Sequence, residues 1–312
     1  MQCSKCGESL LIDAKFCESC GTPTTSESGC QKCGVGITEI DADGYCLQCG
    51  YRQVSPERDR LEVLHNSHLA GVSDRGLRHR RNEDFLALNP GDTQIIVVCD
   101  GVSSSDQPEI ASRTAATSAC EYLTQYLTAD SPHILIKSAI VHALKSVCDI
   151  PIREGVNSDA PSTTIVTAIV QNGVATIGWL GDSRAYWIAE ENSQQLTQDH
   201  SWLTEVVEAG EMSQAEAEKS PHAHAITRWL GADVKVEEVF PSIIDFTIPS
   251  SGYILLCTDG LWNYAPEAEA LAALVKNSPQ KDAIAVSRLL ADFARNCGGH
   301  DNITVGIYYH ER

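Results

Sequence analysis

Beyond about residue 60 the chain breaks into short apolar runs divided by polar turns. Runs at 94–99 and 253–257 are apolar, the first rich in Val and Ile, the pattern of core strands, and another strand is read at 67–73. Apolar residues recur at helical spacing from 108 to about 127 and again from 132 to about 150. A meander follows: STTIVTAIV, a turn at 171–173, VATIGWL, a Gly-Asp-Ser turn, and RAYWIA. Helical periodicity returns over 201–220, and two closing helices lie between the strand at 253–257 and a last strand at 303–309. Strands grouped in hairpins and helices grouped in pairs predict antiparallel sheets flanked by helices, not β-α-β winding.

The first fifty residues are poor in large apolar side chains and rich in cysteine. Eight of the thirteen cysteines fall here as four CxxC pairs: Cys3 with Cys6, Cys17 with Cys20, Cys30 with Cys33, and Cys46 with Cys49. Taken two by two, the pairs give four thiolates in two knuckles, the donor set of tetrahedral zinc. Gly7, Gly21, Gly34 and Gly50 follow the second Cys of each pair, where a knuckle needs a residue tolerant of positive φ. A disulfide framework is the competing reading, but MQCSKCGESL lacks a secretory core, and so small a segment could hardly fold without metal. The expectation is a double zinc ribbon over 1–52 holding two Zn2+, a linker over 53–65 marked by the polar YRQVSPERDRL, and one large domain over 66–312. Cys99, Cys120, Cys148, Cys257 and Cys297 are expected to act as buried small hydrophobes.

Charge narrows the partners. The 312 residues carry a formal net charge of -19, against general binding to nucleic acid or to an anionic membrane. Residues 1–60 hold six Lys or Arg against nine Asp or Glu, so the ribbons are poor binders of a phosphate backbone. Protein docking or regulation suits them better, with a structural appendage as the alternative. No apolar run approaches a membrane span, and the expected location is the cytoplasm.

Candidate chemistry sits in three acidic turns at strand ends: IIVVCDG at Asp100-Gly101, YILLCTDG at Asp259-Gly260, and GGHDNITV at Asp301-Asn302. Any one of these alone marks only a turn. Together, on neighbouring strands, they are where hard divalent cations are held.

Read in order, SDRGLRHRRNED, VVCDGVSSS, DAPSTTIVTAIV, GDSRAYW, LTQDHSW, ITRWLG, LLCTDGLW and GGHDNITV resemble the metal-dependent serine/threonine phosphatases of the protein phosphatase 2C family, bacterial branch. The resemblance spans about 66–309. It implies an α+β fold, a four-layer αββα sandwich of two antiparallel sheets flanked by helices, and hydrolysis of phosphoserine and phosphothreonine with Mn2+ or Mg2+. It implies that Asp100 bridges two ions, that the Gly101 carbonyl serves the second, and that Asp259 and Asp301 complete the first. Glu83 and Asp84 would act through water, and Asp159 is the candidate for a third, weaker ion. Partners would be phosphoprotein substrates and a cognate serine/threonine kinase pathway.

Departures from the pattern concern the phosphate grip. Where the family usually has an Arg, this chain has His79, flanked by Arg78, Arg80 and Arg81. His79 binds phosphate as a cation, donates a proton to the leaving oxygen, or stands aside while a neighbouring Arg takes over. Asn263 stands where an Asp often assists the third ion. Asp182 and Arg184 are read as a tight turn held by their own buried ion pair, and His200, His222 and His224 as structural or flap residues. A pseudophosphatase and a zinc-ribbon adaptor are the alternatives to an active enzyme; Asp100, Asp259 and Asp301 are all present, which weighs against the first.

Overall fold

The computed structural model describes residues 29–30, 32–40, 44–51, 59–152 and 159–311. Cys3, Cys6, Cys17 and Cys20, and so the first expected ribbon, lie outside them. The chain divides into two compact units, Met1–Pro56 and Glu57–Arg312. In the smaller unit, two knuckles repeat one geometry. The Gly34 amide donates to the Cys30 carbonyl at 2.7 Å, and the Gly50 amide to the Cys46 carbonyl at 2.8 Å. Both glycines take the expected positive φ, 75° and 67°.

In the larger unit, β1 (Arg60–Leu64), β2 (Leu69–Asp74), β3 (Asp84–Asn89) and β4 (Gln94–Asp100) lead to α1 (Pro108–Tyr126) and α2 (Pro132–Cys148). The meander contains β5 (Ser162–Thr163), β6 (Ile165–Gln171), β7 (Val174–Leu180), β8 (Arg184–Ile188) and β9 (Gln194–Gln195). Helices α3 (Trp202–Glu208) and α4 (Gln214–Ala217) precede β10 (Leu230–Gly231), β11 (Ser242–Thr247) and β12 (Gly252–Cys257). Then come α5 (Asp259–Trp262), α6 (Ala268–Lys276), α7 (Ala283–Asn296) and β13 (Ile303–His310).

The strands form a six-stranded sheet, β1-β2-β13-β12-β8-β9, a five-stranded sheet, β11-β7-β6-β4-β3, and the short pair β10-β5, all antiparallel. The expected αββα sandwich is what these strands build. Leu69, Leu86, Ile96, Val98, Trp187 and Leu256 fill the space between the sheets. On one outer face Ala111, Ala115, Ala119 and Leu123 of α1 recur at helical spacing against Ile95 and Val97. On the other, Val286 and Leu290 of α7 cover Val305 and Ile307.

One glycine pair brings the sheets close near the site. Gly71 and Gly306 are register partners, and a Cβ on Gly71 would lie 2.2 Å from Leu86 Cδ2. Leu86 of β3 therefore packs on bare backbone of β2 and β13, drawing β3 and its leading Asp84 toward the opposite sheet.

Three expectations need correction. Residues 60–64 are not linker but the edge strand β1, with Leu61 and Val63 half-buried and Glu62 and Leu64 exposed. The 201–220 stretch is two short helices, because Gly210 turns left-handed at φ 69° after the first. Cys99, Cys120 and Cys257 are buried as expected, whereas Cys148 and Cys297 are exposed near helix ends.

Candidate active site

Asp84 opens β3 and Asp100 closes β4, and the two are direct partners across the strand pair. From the opposite sheet, Asp259 follows β12 at the start of α5, and Asp301 precedes β13. Thr258 joins the sheets: its hydroxyl donates to Asp84 Oδ2 at 2.8 Å and accepts the Thr304 amide at 3.0 Å. Asp100 is fixed through its backbone, its amide donating to Thr164 Oγ1 and its carbonyl accepting from Thr163 Oγ1 and the Thr164 amide. Gly101 has no room for a side chain, since a Cβ would sit 2.5 Å from the Pro108 carbonyl oxygen and 2.7 Å from that of Glu83.

Gathering these acids without a counter-charge is unfavourable, and their protonation equilibria show it. Burial, then the charges of Asp84 and Asp259, push the Asp100 carboxyl well above the usual range. Asp84 is raised likewise by burial and by Asp301, against its bond from Thr258. Burial, with Asp301 and Asp182, lifts Asp259 to about 8. Two buried oxygens, Asp84 Oδ1 and Asp259 Oδ1, accept no hydrogen bond. Unpartnered carboxylate oxygens among like charges fit hard divalent cations, which take oxygen ligands and keep water in the remaining positions. Among the described residues these carboxylates do not crowd three ligand atoms within 4.8 Å of one another, as the thiols do. An open centre of that kind leaves room for water and substrate.

Asn302, whose role is silent in the sequence, fastens the loop before β3 to the start of β13. Its Oδ1 accepts the Glu83 amide at 2.8 Å, and its Nδ2 donates to the carbonyls of Arg75 and Arg81. Glu83 itself is raised by burial, opposed by Ser103, whose hydroxyl donates to Oε2 at 2.6 Å.

The loop residues His79, Arg78 and Arg81 diverge. His79 turns toward the acids, with Nε2 3.2 Å from Asp301 Oδ1 and Nδ1 3.8 Å from Glu83 Oε2. Arg81 pairs with Glu109 in the first turn of α1 at 2.6 Å, and Arg78 is exposed. Asp159 lies on the segment that leads into β5. It is exposed, held by a backbone bridge to Ser105 and by its carbonyl accepting the Asp106 amide.

Asp182 and Arg184 do not pair with each other. Arg184 binds Asp199 through two bonds, at 2.9 and 2.7 Å, and its guanidinium lies 3.8 Å from the centroid of the Trp262 ring. Asp182 instead adds its charge to the acidic set, and burial and Asp199 push it up to about 7. Asn263 Nδ2 donates to Asp259 Oδ2 at 3.2 Å. His200 is structural: it accepts the Gly181 amide, meets Ser242 Oγ at 2.9 Å, stacks on Trp179, and is lowered to about 4 by burial and Arg228.

In the smaller unit, one sulfur from each of Cys30, Cys33, Cys46 and Cys49 lies within 4.8 Å of the others. Cys30 and Cys49 approach to 3.5 Å, as do Cys33 and Cys46. Sulfurs about 3.8 Å apart are what a tetrahedron with Zn–S near 2.3 Å requires. Burial works against ionisation of Cys30, but the amides of Cys33 and Lys32 outweigh it and draw the thiol down to about 6.

An αββα sandwich with a buried acidic cradle where its two sheets meet defines a class of metal-using hydrolases. The chain belongs to the protein phosphatase 2C family, whose model matches residues 75–293. It is 30% identical over 243 residues to the serine/threonine phosphatase Stp of Listeria innocua, covering 75% of this chain and 92% of that one. It is 29% identical over 246 residues to the protein phosphatase PhpP of Streptococcus pneumoniae, covering 76% and 94%. Among solved structures, the serine/threonine phosphatase of S. agalactiae superposes with a TM-score of 0.67 at 22% identity, over 81% of this chain and 99% of that one. The catalytic domain of the phosphatase PstP, solved with two manganese ions, gives 0.63 at 22% identity, over 78% and 98%. The chain is thus a protein phosphatase of the 2C type, a hydrolase.

Proposed function

We propose that the chain hydrolyses phosphoserine and phosphothreonine in proteins, using two Mn2+ or Mg2+ ions held by Asp100, the Gly101 carbonyl, Asp259 and Asp301. The observation that carries this reading is the buried cradle with unpartnered oxygens on Asp84 and Asp259. Once bound, the ions would activate a water and neutralise the phosphoryl oxygens. Asp84 and Glu83 orient water from the β3 side, Asp84 being fixed by Thr258 and Glu83 by Ser103. Arg78, which is exposed, is the cation assigned to the substrate phosphate, while Arg81 is paired with Glu109. A third, weaker ion suits Asp182, whose charge acts on Asp259, better than Asp159.

Cys30, Cys33, Cys46 and Cys49 would hold one Zn2+, and Cys3, Cys6, Cys17 and Cys20 a second. The ribbon pair would dock protein partners, consistent with its acidic balance. Cysteines committed to zinc instead of disulfides suit a reducing compartment, so we place the activity in the cytoplasm, opposing a serine/threonine kinase. No helix among the described residues is long and apolar enough to cross a membrane. Release of phosphate from a phosphoserine peptide by the full chain, with and without Mn2+, tests the reading. Dependence on Mn2+ and its loss in Asp259→Asn are expected; turnover indifferent to metal would refute it.

A further inference from the structure

We propose that His79 is a positioning residue for the carboxylate of Asp301, and that an ion pair between Asp59 and Arg75 holds His79 in place. The inference rests on the metal-dependent reading above and deepens it. Asp301 is 42% exposed and follows Gly298 and Gly299, both at positive φ; hydrogen bonds to Arg295, Ala294, Leu77 and Tyr264 hold the backbone of this turn, while the exposed Asp301 carboxylate needs side-chain partners of its own. Its Oδ1 accepts the Asn302 amide at 2.8 Å and lies 3.2 Å from His79 Nε2. With the Asn302 amide bonded to Oδ1 and the His79 ring close beside it, Oδ2 is the oxygen we assign to a cation. The other nitrogen of His79 faces Glu83 Oε2 at 3.8 Å, so the ring is wedged between two acids of the site.

What holds the ring is backbone and charge. Arg75 Nη1 donates to the His79 carbonyl, and Arg75 Nε donates to Asp59 Oδ1 at 3.0 Å. The Arg75 amide also donates to the Asp59 carbonyl at 2.7 Å. The pair is mostly buried, with side chains 17% and 19% exposed, so it keeps its geometry better than a surface pair. Asp59 is the first described residue past the boundary at Pro56, and the tether is where the larger unit fastens its incoming chain. Four residues thus run in series, Asp59 to Arg75 through side chains, Arg75 to the His79 backbone carbonyl, and the His79 ring to Asp301, from the root of β1 to the acidic site.

Outer partners of a metal ligand fix its orientation, and losing one commonly weakens metal binding by about 10- to 100-fold. A His79 that gripped phosphate would act differently: its loss would raise KM and leave metal affinity alone. Mn2+ dissociation constants measured by calorimetry on the full, zinc-loaded chain separate the two roles, with melting temperature followed in parallel. Asp59→Asn, Arg75→Gln and His79→Leu are expected to weaken Mn2+ binding about 10-fold, with kcat recovering at saturating Mn2+. His79→Gln, which keeps an N–H donor near the Nε2 position, is expected to stay close to wild type. Unchanged Mn2+ affinity in Asp59→Asn and His79→Leu overturns the tether. A wild-type chain that bound no Mn2+ would instead overturn the metal reading beneath it. Should Arg75→Gln not fold, Asp59→Asn decides, because it preserves shape and the backbone bond.

Discussion

The two proposed cation sites differ in closure. The cysteine site draws its ligands from residues 30 to 49, and its sulfurs crowd within 4.8 Å of one another. The carboxylate cradle collects Asp84, Asp100, Asp259 and Asp301 from distant segments of both sheets, and among the described residues no three of them crowd within 4.8 Å of one another. Among the thiols the shifts are mixed, with Cys30 drawn down to about 6 while Cys33 is pushed up to about 12 and Cys49 is raised, whereas burial and neighbouring acids raise Asp84, Asp100 and Asp259 alike. A closed set of thiols suits a permanent structural ion, and an open set of acids that resists charging suits exchangeable ions with water between them. Ligand type alone would not have separated these roles; closure does.

The sharpest way to break the contrast is to open the closed site. Cys46→Ser should abolish ordered structure over 29–51 and remove that site's zinc, measured by metal analysis, while hydrolysis of a small phosphate ester persists. Loss of ester hydrolysis together with the zinc would join the two sites that the contrast separates. Next in size, Asp259→Asn should lower turnover by at least about 100-fold without lowering the melting temperature of the metal-free chain, since it replaces a carboxyl whose ionisation the fold opposes with a neutral group of the same shape. A clear fall in that melting temperature would show that Asp259 is stabilising in its own right.

Asn302→Ala removes three hydrogen bonds from a buried side chain, and a loss of about 2 to 3 kcal/mol by denaturant titration is expected, with reduced turnover. Intact stability would mean the loop is held elsewhere. The smallest effect concerns pH. Folded Asp259 keeps its proton up to about 8, whereas an unfolded Asp releases it near its ordinary 3.8, so stability from this group falls as pH rises between those values. His200, lowered to about 4, works in the opposite direction, but only below its ordinary 6.5. Between pH 6.5 and 8 the metal-free chain should therefore lose a few degrees of melting temperature, and Mn2+ should abolish the slope. Equal slopes with and without Mn2+ would mean that ions do not occupy the cradle.

Much of this was legible in the sequence where local pattern and tertiary role coincide. The apolar run ending at Asp100 is β4, the run before Asp259 is β12, and the CxxC-Gly signals mark both described knuckles. Elements with weak alternation escaped. β11 is a half-buried edge strand with Asp245 in its middle, and β1 looks like linker because its polar residues form ion pairs with α7, such as Arg60 with Asp292 and Glu62 with Arg288. Partners set by the fold also escaped: Arg184 chooses Asp199 over nearby Asp182, and Thr258 reaches Asp84 across the sheets. Nothing in local spacing encodes such pairings, because they depend on which strand ends the sandwich brings together.

The register that sets Asp84 directly opposite Asp100 has a consequence for descent. Like charges facing each other across neighbouring strands destabilise a sheet, and here they are buried as well. A lineage that ceased to need the ions would gain stability by replacing either acid, so drift alone would erode the pair. Its persistence in a chain is therefore a record of use, readable by comparing the melting of the metal-free protein with that of Asp84→Asn before any substrate is known.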